Sequence, residues 1–247
     1  MIAPRIDLRV QVFADGANLE QMKALAADPN VKGFTTNPTL MRQSGIRDYA
    51  AFAREVLKAI PDKPISFEVL ADSPAEIRRQ ALSIATWGDN VYVKVPITTS
   101  EGEPLTDLAG ELARRGVKVN VTAVFTLEQV WKSCEALRGG APSVVSVFAG
   151  RIADSGVDPV PHMTACKKLV EKVPQTELLW ASPREALNVV QADQVGCDII
   201  TVTPDLLAKL GTLGKGLEEF SLDTVKMFRD DAVKAGFALH RRRPAAA

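Results

Sequence analysis

The sequence predicts an α/β fold: a (β/α)8 barrel of the TIM type, residues 1–247 forming one domain, with an additional C-terminal helix. Two observations predict it. Eight short β-branched runs alternate with helical patterns along the chain, and eight such units favour a closed barrel over an open sheet. No Gly-x-Gly-x-x-Gly follows the first run, which removes the main mark of a doubly wound dinucleotide-binding sheet. The length of 247 residues suits one such barrel.

The strands are read at Gln11–Asp15, Gly33–Thr36, Ile65–Val69, Val91–Val95, Val117–Thr122, Val144–Ala149, Glu177–Ala181 and Ile199–Thr203. Helical spacing lies between them. Phe52, Val56 and Ile60 share one face, and Leu127, Val130, Trp131, Cys134 and Leu137 share another. Helix starts are marked by Ser73-Pro74-Ala75-Glu76, by Thr126-Leu127-Glu128-Gln129 and by Ser182-Pro183-Arg184-Glu185, each spaced as a capping box. Thr203-Pro204 opens the eighth helix, and Gly116 and Gly196 stand where helices should stop. A last helix, residues 219–236, carries Leu222, Val225, Met227, Phe228 and Ala232. That is more apolar surface than a free end should show, so it is expected to pack on the barrel or on a neighbouring subunit, making a homo-oligomer. Residues 237–247, with Arg241–Arg243, read as a flexible, solvated tail.

Composition narrows the function. Lys plus Arg and Asp plus Glu are each 30, so the net charge is zero, which argues against a dedicated nucleic-acid binder. Neither an N-terminal secretory segment nor a bilayer-length apolar run is present, so no membrane partner and a cytoplasmic location are expected. Cys134, Cys166 and Cys197 have neither metal-ligand spacing nor a paired framework, and read as buried, reduced thiols. His162 and His240 stand apart and outside the strands. Neither a metal nor another cofactor is expected.

The polar residues of the strands carry the chemistry. Side chains alternate faces along a strand. In Val91-Tyr92-Val93-Lys94-Val95 the valines share the face that meets the helices, so Tyr92 and Lys94 point inward. The same alternation groups Gln11, Phe13 and Asp15, isolates Ser66 and Glu68, isolates Lys118, Asn120 and Thr122, and pairs Ser146 with Phe148. Singly, an inward hydroxyl is usually a satisfied core group, and a buried Asp–Lys pair can be structural. Convergence of a lysine, two carboxylates, asparagine and threonine on the C-terminal mouth of a barrel, where such folds act, favours use. A lysine stripped of water becomes a nucleophilic amine for carbonyl carbon. Amine catalysis with carboxylate proton transfer is the chemistry that remains.

At these residues the sequence resembles the transaldolase family, in its short form near the fructose-6-phosphate aldolase-like members. The motifs are Phe13-Ala14-Asp15-Gly16-Ala17-Asn18-Leu19, Thr35-Thr36-Asn37-Pro38-Thr39-Leu40, Val93-Lys94-Val95-Pro96, Asn120-Val121-Thr122, Ser146-Val147-Phe148-Ala149-Gly150-Arg151-Ile152 and Ala181-Ser182-Pro183-Arg184. The resemblance implies that Lys94 forms the Schiff base and that Asp15 is the acid/base for cleavage of the C3–C4 bond. It implies that Glu68 shuttles protons through a water held by Thr122. Asn37, Asn120 and Ser146 would orient a dihydroxyacetone unit, while Arg151, Ser182 and Arg184 would bind phosphate. Ser182, read as a helix start, would add backbone N–H groups to that site.

The resemblance implies small-molecule sugar phosphates as partners and three competing functions. The first is transfer of a dihydroxyacetone unit from a ketose phosphate, such as fructose 6-phosphate or sedoheptulose 7-phosphate, to an aldose phosphate. The second is a lyase that releases dihydroxyacetone to water. The third is a silent barrel that only binds sugar phosphate. Aldolase-like members tend to carry glutamine and tyrosine where Glu68 and Phe148 stand, so transfer is favoured. Two departures concern the acceptor end: the segment Ser155-Gly156-Val157-Asp158-Pro159, and Pro183 in place of a usual aromatic.

Overall fold

The computed structural model describes residues 8–237. Eight parallel strands close on themselves in sequence order, β1 (Gln11–Asp15), β2 (Val31–Thr35), β3 (Ile65–Glu68), β4 (Val91–Pro96), β5 (Val119–Val124), β6 (Ser143–Val147), β7 (Thr176–Trp180) and β8 (Ile199–Val202). The helices are α1 (Leu19–Ala26), α2 (Pro38–Gln43), α3 (Tyr49–Ala59), α4 (Pro74–Ala85), α5 (Thr106–Arg114), α6 (Leu127–Leu137), α7 (Ala149–Asp154), α8 (Pro159–Val170), α9 (Leu187–Val195), α10 (Pro204–Leu210) and α11 (Leu217–Lys234). The expected barrel with a C-terminal helix is the observed fold.

The period-two reading holds on the central strands. Val91, Val93 and Val95 are buried against the helical layer, as are Val119, Val121, Val145 and Val147. A second, smaller apolar cluster fills the bore: Phe13, Val144, Leu179, Ala181 and Ile199, with Tyr92 and Phe148 packed on it. Phe13 lies so close to β2 that a methyl group on Gly33 would stand 2.6 Å from its ring. Strand register then sets the polar row above this cluster. Glu68 pairs with Lys94, and Lys94 pairs with Asn120.

Local signals held where residues within one turn of each other complete the helix end. Thr126 and Gln129 make a complete capping box at α6, and Gly196 closes α9 in the left-handed region at φ 81°. Ser73 caps α4 singly, because the Glu76 carboxylate is bonded to Arg79 instead of reaching back.

Other expectations are corrected. β2 begins at Val31, two residues before the expected Gly33. β5 begins at Val119, so Lys118 lies at the opposite end of the barrel from the mouth. There its Nζ donates to the Asp89 carbonyl at 2.7 Å and sits 5.8 Å over the Tyr92 ring. Leu127 and Trp131 belong to the outer side of α6 and stay exposed, while Val130, Cys134 and Leu137 are buried. Ser182 opens no helix. It takes a left-handed φ of 61°, α9 starts at Leu187, and the Arg184 and Glu185 amides donate to Asn188 Oδ1.

The C-terminal helix spans Leu217–Lys234 and buries none of its residues. Leu222, Val225, Met227 and Phe228 are all at least half exposed, so packing on its own barrel is ruled out as the cover for this face. Among the described residues, no helix is long and apolar enough to cross a membrane. The Arg241–Arg243 segment lies outside the described residues.

Candidate active site

The strand ends open into a cavity of about 480 Å³ at the C-terminal mouth of the barrel. Ten of the eleven residues singled out from sequence line it: Asp15, Asn37, Glu68, Lys94, Thr122, Ser146, Phe148, Arg151, Ser182 and Arg184. Asn120 stands beneath it, 1% exposed, with both ends of its amide engaged. Its Oδ1 accepts from Ser146 Oγ at 2.6 Å and its Nδ2 donates to Ser66 Oγ at 3.1 Å.

Lys94 is 7% exposed at the cavity floor. Its Nζ lies 3.2 Å from Glu68 Oε2 and donates to the Thr36 carbonyl at 2.9 Å. The β3–β4 register causes the first contact, because side chains at paired positions of adjacent strands share a face. Across the cavity, Asp15 accepts from Thr35 Oγ1 at 2.8 Å and from Asn37 Nδ2 at 3.3 Å. Asn37 is fixed for this task by its other end, whose Oδ1 caps α2 through the Leu40 amide at 2.9 Å. Burial pushes the Asp15 carboxyl above its ordinary 3.8, against the opposing pull of the Lys94 charge and the Thr35 hydrogen bond. A carboxyl so raised is better matched to accepting and returning a proton.

β5 departs from regular pairing between Val121 and Val124, and Ala123 takes a left-handed φ of 58°. For a residue with a Cβ that conformation costs about 1–2 kcal/mol. The bulge lets Thr122 and Ala123, consecutive in sequence, both line the cavity, which plain alternation forbids. Thr122 Oγ1 is buried without a hydrogen-bond partner. Thr122, Lys94 and Glu68 line the same cavity, and an orphaned hydroxyl there calls for a polar partner.

Arginines line the outer wall. The Arg151 guanidinium lies 5.2 Å over the Phe148 ring, which in turn packs on Phe125 at 5.6 Å. Arg184 comes from the loop before α9 and is forked onto Asp154. Ser182 reaches the wall because α7 passes against it at Gly150, where a Cβ would stand 1.6 Å from the Ser182 carbonyl oxygen. Only glycine allows that approach.

Sequence reasoning missed three neighbours of the site. Thr35 and Thr201, whose hydroxyls are hydrogen-bonded to each other, stand beside Asp15. Alternation along β2 and β8 would have found both. Asp154, which holds Arg184, carries no signal in strand periodicity because it lies on α7.

Fold and site together define a (β/α)8 barrel with an amine and two carboxylates at its C-terminal mouth. The family model described as Transaldolase/Fructose-6-phosphate aldolase matches residues 12–239. The chain belongs to the transaldolase/fructose-6-phosphate aldolase family. It is 35% identical over 202 residues to a protein of Dehalococcoides mccartyi called "Probable transaldolase", covering 81% of this chain and 90% of that one. A protein of the same name from Streptococcus equi subsp. zooepidemicus is 36% identical over the same shares of each chain. Among solved structures, KGPDC from Streptococcus mutans in complex with D-R5P matches with a TM-score of 0.51 at 15% identity, over 80% of this chain and 88% of that one. That likeness concerns the barrel fold alone.

Proposed function

We propose that the protein is a Schiff-base transaldolase acting on sugar phosphates, and the observation that carries this is Lys94. Its amine is sunk in the barrel floor between the Glu68 carboxylate and an open cavity. In the proposed reaction the Lys94 amine attacks the C2 carbonyl of a ketose phosphate, and the carbinolamine loses water to give the iminium. Glu68, at 3.2 Å, is positioned to move protons in that step, with Thr122 Oγ1 holding the water. Asp15 then takes the proton of the C4 hydroxyl as the C3–C4 bond breaks, and the aldose phosphate departs. The enamine left on Lys94 attacks the aldehyde carbon of an incoming aldose phosphate, Asp15 returns the proton, and hydrolysis frees the new ketose.

Asn37 and Ser146 would orient the dihydroxyacetone unit from the cavity wall. Asn120 would act through Ser146, whose hydroxyl it holds. Arg151, Ser182 and Arg184 would receive the phosphate, with forked donors suited to its oxygens.

The lyase alternative needs the enamine to be protonated and hydrolysed before an aldose phosphate captures it. Phe148 lines the cavity with a ring that adds no hydroxyl to the one at Thr122, which favours transfer. A silent barrel is disfavoured because Lys94, Glu68 and Asp15 are all present and line one cavity. The uncovered apolar face of α11 supports a homo-oligomer, and the three unpaired buried cysteines suit a cytoplasmic location.

The test is borohydride trapping with fructose 6-phosphate, followed by mass spectrometry of the lysine peptides. Reduction is expected to label Lys94 in the wild type, and Lys94→Met is expected to lose both label and turnover while remaining folded. Labelling at another lysine would overturn the assignment.

A further inference from the structure

Parallel strands bond in rungs spaced two residues apart. Between β2 and β3 the Phe34 amide donates to the Pro64 carbonyl at 2.8 Å, and the Thr36 amide donates to the Ser66 carbonyl at 3.1 Å. The next rung in that series would run from the Glu68 amide to the Thr36 carbonyl. Both groups are engaged elsewhere. The Glu68 amide donates to the Tyr49 hydroxyl at 2.8 Å, and that hydroxyl donates to the Glu68 carbonyl at 3.0 Å. The Thr36 carbonyl accepts from Lys94 Nζ at 2.9 Å.

Tyr49 is well held for this position. It is the first residue of α3, whose N-terminus is capped by Asp48. Its ring stands edge-on to Phe67 at 6.1 Å and to Trp87 at 5.5 Å. Burial pushes the phenol well above its ordinary range, so it remains a donor. A buried amide that leaves its ladder must find another partner, and this hydroxyl serves both the amide and the carbonyl of one residue.

We infer that Tyr49 is a positioning residue for Lys94: by occupying the last rung of the β2–β3 ladder, its hydroxyl leaves the Thr36 carbonyl free to hold the lysine amine. The two partners of Nζ then both depend on one phenol. The carbonyl is released by it, and the Glu68 carboxylate hangs from the main chain it grips. The inference rests on the reading of Lys94 as the nucleophile.

Tyr49→Phe tests it. Without the hydroxyl, the Glu68 amide and the Thr36 carbonyl can close their rung, and Lys94 loses an anchor. The expected result is a fall in kcat of about ten- to a hundred-fold, the scale of a misplaced reacting group. KM for the ketose phosphate should stay within about two-fold, since the loss is in chemistry rather than binding. The rate at which borohydride traps the lysine adduct should fall with kcat. Trp87→Leu is the comparison, because it loosens the ring's packing and keeps the hydroxyl. It should lower the melting temperature and retain kcat. Wild-type kcat in Tyr49→Phe, or an equal kcat loss in Trp87→Leu at the same melting temperature, overturns the inference.

A substrate-free measurement separates this from the proposed function. Acylation of the folded protein by acetic anhydride, read by mass spectrometry against Lys167 as reference, should be faster at Lys94 in Tyr49→Phe by about two-fold or more, as a side chain released from its anchor samples the cavity. If the wild type forms no adduct with any ketose phosphate, the Schiff-base reading falls. The acylation comparison still decides whether Tyr49 sets the lysine, and an unchanged rate refutes it.

Discussion

Asp154 grips Arg184 through both carboxylate oxygens, each 3.0 Å from the guanidinium Nε. The same bond holds the Asp154 carboxyl below its usual range. One arginine of the proposed phosphate wall is therefore already paired, and an incoming phosphate must compete with a carboxylate of the chain itself. Asp154→Asn is expected to lower KM for phosphorylated sugars by about two- to five-fold, the range that a half-exposed ion pair spans. Steady-state kinetics with fructose 6-phosphate check it. An unchanged or higher KM would show that the pair orients Arg184 rather than restrains it.

Arg151 is placed differently, stacked on Phe148 with its guanidinium over the ring. Its truncation to alanine should weaken phosphorylated substrates by about 1.5–3 kcal/mol, the usual worth of a charge-assisted bond. Arg184→Ala should cost less, because its guanidinium is shared with Asp154. Unphosphorylated dihydroxyacetone analogues should be spared by both. Equal losses with both kinds of substrate would make the arginines structural.

Phe148 sets the fate of the enamine in the proposed chemistry. Phe148→Tyr adds a hydroxyl that can hold and polarise a water. The ratio of free dihydroxyacetone to new ketose phosphate, measured from fructose 6-phosphate with and without erythrose 4-phosphate, should rise. A wild type that already releases dihydroxyacetone as fast as it transfers it would be a lyase. A ratio that ignores the substitution would move control of partitioning to Glu68.

Asp15 makes the site's demand on stability visible in pH. Burial raises its carboxyl above 3.8, so the folded chain holds that proton more tightly than the unfolded chain. Its contribution is then most favourable below 3.8 and declines as pH climbs through the raised value. Asp15→Asn removes the titration. Its melting temperature relative to wild type should improve steadily from acid toward neutral pH, with activity lost throughout. A difference that stays flat with pH would clear Asp15 of this role.

The strands were legible because burial on two faces leaves a period that sequence shows directly, as in Val91, Val93 and Val95 around Lys94. Parity was legible but register was not, and the facing of Glu68 and Lys94 comes from the structure. Other features depend on contacts between distant segments. Ser182-Pro183 has the chemistry of a helix cap, yet the close pass of Gly150 belongs to tertiary packing and bends the chain into a left-handed turn there. Asn120 has the inward parity of a substrate contact, but parity says nothing of depth, and it lies one layer below. The rung taken by Tyr49 is readable only from which carbonyl each amide meets. The apolar stripe of α11 was visible as a surface that needs covering, while its cover is not supplied by the described residues of the chain.

The Phe13 ring pressed against Gly33, with Val144, Leu179 and Ile199 around it, stoppers the barrel beneath the lysine. Traffic through the proposed site is therefore one-ended. The first aldose phosphate must leave by the doorway that the second needs, so arrivals and departures take turns. An excess of either aldehyde should crowd that doorway and slow the exchange, whatever the speed of the bond-making below.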